Sequence, residues 1–460
     1  MADTRHLTPV PDDSYFASLM DQEPTGSDEP PAAPPAVEEE DDGPRDPASG
    51  ERLYADRQEA FWNSRPELLH IQQAAYATGM ASWAVLGAVM TRVASLVPYW
   101  VTLQSAIGTK GTMNLFVAAV GSSGTGKSSA MDVASELVSG APTVGLGSGE
   151  GLLSNFLRWD PAQKEMVRHA HSALILVDEI STVAALKDRL GSTLMTYLKT
   201  AWSGGMLATK NATSERDRRV EAHEYRLCLY AGVQPELAGV LLDEKDGGIP
   251  QRFLWLPAYE RKPYVVPEHP GELPWGRHGV PALNNPENRA MVSLPSEVID
   301  YIRARHRALS DYDSLKERKP VGLDLDGHAL YTRVRVAAVL ALLDHRTDVT
   351  MEDWELSGVV MMKSNETRQE CADAVAQGAA RRNEARGVAA ASQEEAGAAE
   401  LERRCSKRVT EMLSSGPKNR KTIRGRLSAP QRTHLTAALA LLMDDGIIEQ
   451  DEEGSYALTR

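Results

Sequence analysis

The sequence predicts an α/β fold with smaller appended units, on three observations. A short apolar run, Leu115-Phe116-Val117-Ala118-Ala119-Val120, leads straight into a glycine-rich loop and a helical stretch. A second run, Ala173-Leu174-Ile175-Leu176-Val177, ends in Asp178-Glu179. From residue 106 to about 262, strand-length apolar runs alternate with helical periodicity, the pattern of a buried parallel sheet.

The chain has 460 residues, room for about two to four domains. Its formal charge is −14, but the charge is uneven. Residues 1–50 hold 13 acidic and 2 basic residues, a net of −11, which leaves −3 for the rest. The total therefore does not exclude a nucleic-acid partner. The three cysteines, Cys228, Cys371 and Cys405, are odd in number and far apart. That excludes a disulfide scaffold and a cysteine-based zinc ribbon, and fits a reducing, cytoplasmic compartment. The most apolar stretch, Ser82 to Trp100, carries Arg92 in its middle, so no membrane span is expected. The start, MADTRHLTPV, has no apolar signal core.

Taken in order, residues 1–50 are acidic and proline-rich and are expected to be disordered. Within them, Tyr15, Phe16, Leu19 and Met20 would share one face of a helix formed on a partner. Residues 51–105 read as a helical N-terminal domain of two helices, with Ser82 to Leu96 apolar all round. The sheet-bearing core spans 106–290. It contains helices over Ser129 to Val138 and about Thr182 to Thr200, and a returning strand over Tyr225 to Ala231. Residues 291–378 read as a helical unit, with apolar periodicity through Tyr331 to Leu343. An Ala-, Glu- and Arg-rich linker, 379–404, is expected to be helical or partly disordered. Residues 405–460 form a small separate unit.

The strongest motif is Gly121-Ser122-Ser123-Gly124-Thr125-Gly126-Lys127-Ser128, which matches G-x-x-x-x-G-K-[ST] between a strand and a helix. Glycines allow a tight turn that aims backbone N–H groups at phosphate oxygens, and the helix adds its positive end. Lys127 is expected to neutralise phosphate and the Ser128 hydroxyl to ligate Mg²⁺. Ser129, opening the helix, completes the expected nucleotide-binding residues. Asp178, ending a buried strand, is placed to hold the Mg²⁺ shell. Glu179 is placed to polarise an attacking water. No N-K-x-D guanine signature follows, so ATP is the expected nucleotide.

Further residues carry a resemblance. Ser203 to Lys210 precedes a basic stretch with Arg216, Arg218 and Arg219. Then come a strand ending in Gly232-Val233-Gln234-Pro235 and the segment Gly247-Gly248-Ile249-Pro250-Gln251-Arg252-Phe253. This order resembles the AAA+ ATPases with a β-hairpin before the sensor-1 strand, among them superfamily-3 and minichromosome-maintenance helicases. It is closer still to YfjI-like, primase-associated ATPases of phages and mobile elements, which Met113-Asn114-Leu115-Phe116-Val117 also fits. The resemblance covers about residues 80–370 and implies a P-loop core with a helical lid. It implies that Gln234 hydrogen-bonds phosphate or water, with Gln where the broader group has Asn. It implies that Arg252 is an arginine finger acting in a neighbouring subunit, hence a homo-oligomeric ring, expected to be a hexamer. Arg335, with Arg333 next, is the expected lid arginine that touches nucleotide. Val349-Thr350-Met351-Glu352-Asp353 resembles the segment near the lid's end. A primase or another replication protein is an expected partner.

Two regions are expected to hold DNA. The presumed hairpin brings Lys210, Arg216, Arg218 and Arg219 toward the pore of a ring, where they would track a single strand. The C-terminal unit has eight basic residues and one acid, Glu411, between Lys407 and Arg432. Lys418, Arg420, Lys421, Arg424 and Arg432 are the expected contacts. Helices over Lys407 to Leu413, Arg420 to Leu427 and Gln431 to Met443, then strands at Ile447 to Gln450 and Ser455 to Leu458, read as a winged helix. Its third helix would enter the major groove through Pro430 to His434. The acidic turn Asp451-Glu452-Glu453 argues instead for protein contacts. The function expected is a ring-forming, ATP-hydrolysing DNA helicase. The alternatives are an ATP-switched initiator that does not unwind DNA, and an ATPase that remodels protein.

Overall fold

A computed structural model describes residues 57–459 apart from 109, 190–191, 210–216, 244–247, 261–264, 277–279, 281–282, 289 and 316–326. The acidic segment 1–50, with its Tyr15 to Met20 patch, and the basic residues Lys210 and Arg216 lie outside the described residues. No described helix is long and apolar enough to cross a membrane. The chain divides into two compact units, residues 1–375 and 376–460.

The first unit is built on a five-stranded parallel sheet. Its strands are β1 (Phe116–Val120), β2 (Thr143–Gly145), β3 (Ser172–Val177), β4 (Arg226–Val233) and β5 (Phe253–Pro257), in the spatial order β5-β1-β4-β3-β2. The three middle strands read as unbroken apolar runs because both faces of the sheet are covered. Val117, Ala119, Cys228, Tyr230, Leu254 and Leu256 face one core, and Phe116, Ala118, Val120, Leu229, Phe253 and Trp255 face the other.

Helices α1 (Pro66–Ala77) and α2 (Ser82–Leu96) were expected to stand apart as an N-terminal domain, but they are part of the first core. α2 is buried along almost its whole length, which explains its apolarity all round. Gly87 permits the close approach: a Cβ there would lie 2.8 Å from Leu256 Cδ1 and 2.9 Å from Val117 Cγ1. Arg92, the charge within this apolar helix, is buried and donates from Nε to the Val138 carbonyl at 2.6 Å. That carbonyl closes α3 (Lys127–Leu137), so a buried cation sits at the negative end of the helix that follows the glycine-rich loop.

The opposite face is covered by Ile180–Lys187 and Leu194–Trp202. The single helix expected over 182–200 is therefore two. The Ser192 hydroxyl, just before the second helix, accepts from the Leu194 N–H at 3.5 Å. A hairpin of Leu207–Thr209 and Arg218–Val220, antiparallel, stands directly before β4.

The helix Met351–Leu413 runs 63 residues. The expected linker 379–404 is helical throughout. The second unit has its own core of Cys405, Val409, Ile423, Leu435, Leu439 and Ile448. Its helices Arg420–Gly425 and Ala429–Asp444 precede the strands Ile448–Gln450 and Ser455–Leu458. A third strand, Lys418–Asn419, pairs antiparallel with Ser455–Leu458.

Candidate nucleotide site

The order of the strands creates the site. From β1 the chain crosses to the far edge at β2, whereas from β4 it crosses the other way to β5. Neighbouring strands β1 and β4 thus send their connections in opposite directions, which opens a crevice beyond their carboxyl ends. The glycine-rich loop, 121–126, occupies this position.

The loop is held from β4. The Gly121 N–H donates to the Val233 carbonyl at 3.0 Å, and the Tyr230 hydroxyl donates to the Lys127 carbonyl at 3.0 Å. Gly124 and Gly126 have φ of +80° and +86°, in the left-handed region that favours glycine. At Gly126 a Cβ would also meet Met80 Sδ at 2.5 Å. Ser122, Ser123 and Gly124 are exposed, as are Ser128 and Ser129 on the first turn of α3, while Thr125 is half-buried.

Lys127 is 8% exposed and donates from Nζ to the carbonyls of Gly121 and Ser122, each at 2.7 Å. Burial holds its pKa below the ordinary lysine value, opposed by the Glu179 carboxylate. A hollow beside it is lined by Lys127, Ser128, Met131, Asp132, Asp178, Tyr230 and Gly232, among others. The lysine, the hydroxyl and the first carboxylate of the sequence argument therefore meet in one place. Glu179 follows in extended conformation at the head of Ile180–Lys187, and its Oε2 accepts from the Ser181 hydroxyl at 3.2 Å. Gln234 directly follows β4 and is half-buried at the same edge of the sheet.

Gly232 is the residue that the sequence argument left without a role. A Cβ there would overlap the Asp178 carbonyl oxygen and lie 3.5 Å from Lys127 Cε. Only a residue lacking a side chain lets the strand ends close around the lysine. A glycine next to the end of a strand was the available signal.

Three predicted residues lie elsewhere. Arg335 is a correction: it is not on a lid surface beside nucleotide. It is 4% exposed and donates to the carbonyls of Thr112 at 3.0 Å and Trp202 at 2.9 Å. Its guanidinium lies 3.7 Å from the Trp202 ring centroid. Thr112 precedes β1, so these contacts are at the opposite end of the sheet from the loop. Burial, foremost, holds its pKa down to about 9. Arg333 stacks on Trp354 at 3.8 Å and donates to the Trp354 carbonyl at 3.0 Å. Arg252 immediately precedes β5, separated from the loop's end of the sheet by about 17 Å of strand. It is 8% exposed, with its guanidinium 5.2 Å from the Trp202 ring centroid.

The expected DNA contacts are mostly at the surface. Arg218 bends back and donates to Ser154 Oγ at 3.0 Å, and Arg219 pairs with Glu221. In the second unit, Arg420, Lys421, Arg424 and Arg432 are exposed. Lys418 is half-buried and donates to Ser415 Oγ at 2.8 Å. Arg420 donates to Thr436 Oγ1 at 2.6 Å and Arg432 to the Leu427 carbonyl at 2.9 Å. No protein-family model matches this chain, and no curated protein is similar to it.

Proposed function

We propose that the protein is an AAA+-type, P-loop ATPase that assembles into a ring and works on DNA as a helicase or translocase. The reading rests above all on the convergence of Lys127, Ser128 and Asp178 on one hollow at the crevice of a parallel sheet. The residues present fit Mg²⁺ and ATP. The ammonium of Lys127 is desolvated and, among the described residues, meets only loop carbonyls at hydrogen-bond distance, so a phosphate oxygen is its natural counter-charge. Backbone N–H groups at the start of α3 add donors, and Ser128 with Asp178 supplies hard oxygen ligands suited to Mg²⁺. When bound, the metal would draw charge from the phosphates.

Glu179 accepts a proton from the attacking water and Gln234 orients it, both from the same edge of the sheet. Arg252 is too far from its own loop to serve it. Its finger role therefore belongs to the site of a neighbouring copy and requires the guanidinium to leave Trp202. The C-terminal unit is read as a winged helix that binds duplex DNA, on its three helices, its three-stranded antiparallel sheet and its exposed basic residues. A hexameric ring and a primase or other replication partner belong to the same proposal.

A second reading draws on Arg252. A finger held against Trp202 leaves hydrolysis slow, so ATP would act as an assembly switch for a DNA-binding initiator that separates no strands. Hydrolysis with and without single-stranded DNA, with strand displacement on a forked duplex, decides. DNA-stimulated turnover with unwinding supports the helicase, and ATP-dependent assembly without unwinding supports the initiator. Absence of ATP binding refutes both. Electron microscopy with an ATP analogue and DNA tests the ring and what occupies its pore.

A further inference from the structure

At the opposite end of the sheet from the glycine-rich loop lies a second site. The loop after α2 carries Tyr99 and Trp100, both half-buried, with ring centroids 5.4 Å apart in an edge-on arrangement. His171, exposed, stacks on Tyr99 at 4.5 Å and 16°. This aromatic pair lines two hollows at once. One is largely apolar and includes Pro98, Pro142 and His171. The other, of about 380 Å³, adds Lys110, His223 and Glu224.

The platform is rigid for a stated reason. Arg226, fully buried at the start of β4, donates to the carbonyls of Val97 at 3.1 Å, Pro98 at 2.9 Å and Val101 at 2.8 Å. The two rings are therefore bracketed by anchored backbone on both sides. The Trp100 indole N–H is buried, with no hydrogen-bond partner among the described residues. His223 has φ +61°, an uncommon conformation for a non-glycine residue, and its N–H donates to the Gly204 carbonyl at 2.8 Å. Burial, then Lys110 and Arg226, hold its imidazole below the ordinary histidine range. Lys110 is exposed and brings a positive charge to the rim.

Flat aromatic faces, an imidazole and one ammonium match a nucleotide unit: a base to stack and a phosphate to pair. An exposed carboxylate, Glu224, suits the N–H donors on base edges, the thymine N3–H among them, and disfavours a phosphate at its own end of the hollow. A duplex would not fit this chemistry, because its bases stack on one another. The location agrees with a strand-binding role. The hairpin strand Arg218–Val220 leads within two residues into the hollow wall at Ala222 and His223.

We propose that Tyr99, Trp100, Lys110 and His223 form a second nucleotide-binding site, separate from the glycine-rich loop, which takes a base of single-stranded nucleic acid on the aromatic pair and its phosphate on Lys110. The identification of the ligand as a strand rests on the DNA reading above; the nucleotide chemistry does not.

The test is fluorescence anisotropy of a labelled dT20 on the full chain without ATP, with dTMP in a competing arm. Stacking contributes about 1–3 kcal/mol per base, so Tyr99→Leu should weaken binding by roughly 5- to 150-fold. Tyr99→Phe should retain it, which a merely apolar packing role would not require of the ring. Lys110→Ala, at an exposed position, should weaken dT20 and flatten its salt dependence by about 0.7 in the log–log slope. Lys127→Ala, measured in parallel, should lose ATP and keep dT20, so failure of the ATPase reading shows separately. Tyr99-dependent binding of dTMP with none of dT20 would still support the nucleotide site and assign it to free nucleotide. Wild type binding neither probe, or Tyr99→Leu binding both like wild type, overturns the proposal.

Discussion

Replacing Gly232 by alanine tests the geometry of the nucleotide site without removing any side chain assigned to the ligand. The added Cβ would overlap the backbone carbonyl of Asp178 and crowd Lys127 Cε at 3.5 Å. A flexible side chain could turn aside, but the Asp178 carbonyl is backbone, directly after β3, so the carboxyl ends of β3 and β4 must separate. Overpacking of this kind costs about 1–3 kcal/mol, of which alanine's better backbone entropy returns less than about 1. At about 2–4 °C per kcal/mol, the melting temperature of the first unit should fall by several degrees. Nucleotide affinity should fall further, by about tenfold or more, because the displaced atoms are those that set Lys127 and Asp178. Calorimetric melting and titration with a fluorescent ATP analogue read the two effects. Gly145→Ala is the control, since no atom lies within 4 Å of a Cβ built there. If Gly232→Ala melts and binds like wild type, the close approach of the two strand ends does not form the site.

Three further outcomes are expected. Lys127→Ala should abolish ATP binding, whereas Glu179→Gln should bind ATP and fail to turn it over; equal ATP affinity in Lys127→Ala and wild type would refute the assignment of the loop. Arg252→Ala should bind ATP but hydrolyse it about 10³-fold more slowly, with partial rescue on mixing with Lys127→Ala; absence of rescue in confirmed mixed assemblies would exclude action in trans. Asp353, 0% exposed, pairs with Arg65 at 2.7 Å and Arg346 at 2.9 Å, so Asp353→Asn should cost about 3–5 kcal/mol. Burial pushes its carboxyl up, but Arg346, Thr350 and Arg65 together hold it below the ordinary range. A carboxylate with a lowered folded pKa stabilises above its unfolded value near ~3.9 and stops doing so as pH falls through the folded one. The gap in melting temperature between wild type and Asp353→Asn should therefore be full at neutral pH and close in acid; a gap that does not change with pH would assign the cost to packing alone.

The parts of the fold that were legible in the sequence are those encoded locally. β1, β3 and β4 are apolar runs because both faces are covered, and the glycine-rich loop is a contiguous pattern. β2 was missed because it is three residues at the sheet's edge, with Thr143 and Gly145 exposed and no apolar run to mark it. The separate N-terminal domain was a misreading of α2, since an all-round apolar helix says that it is buried but not against what. Arg335 shows the same limit. Its periodicity placed it on a helix, while its end of the sheet depends on contacts with Thr112 and Trp202, 223 and 133 residues away in sequence. Gly232 lay in a quoted motif, yet its role depends on the Asp178 carbonyl, which no local pattern reveals.

The long helix Met351–Leu413 has a consequence for handling the protein. From residue 380 to 397 every position is exposed, and a Cβ on Gly387 or Gly397 would meet nothing. That stretch is held by its own backbone hydrogen bonds alone, so it opens locally at far lower cost than either core. Arg381, Arg382 and Arg386 stand within it. A brief digestion with trypsin should therefore cut here first and liberate a C-terminal fragment whose core, beginning at Cys405, is intact. The chain thus carries its own site for dissection, at which the two units can be separated and assayed without redesign.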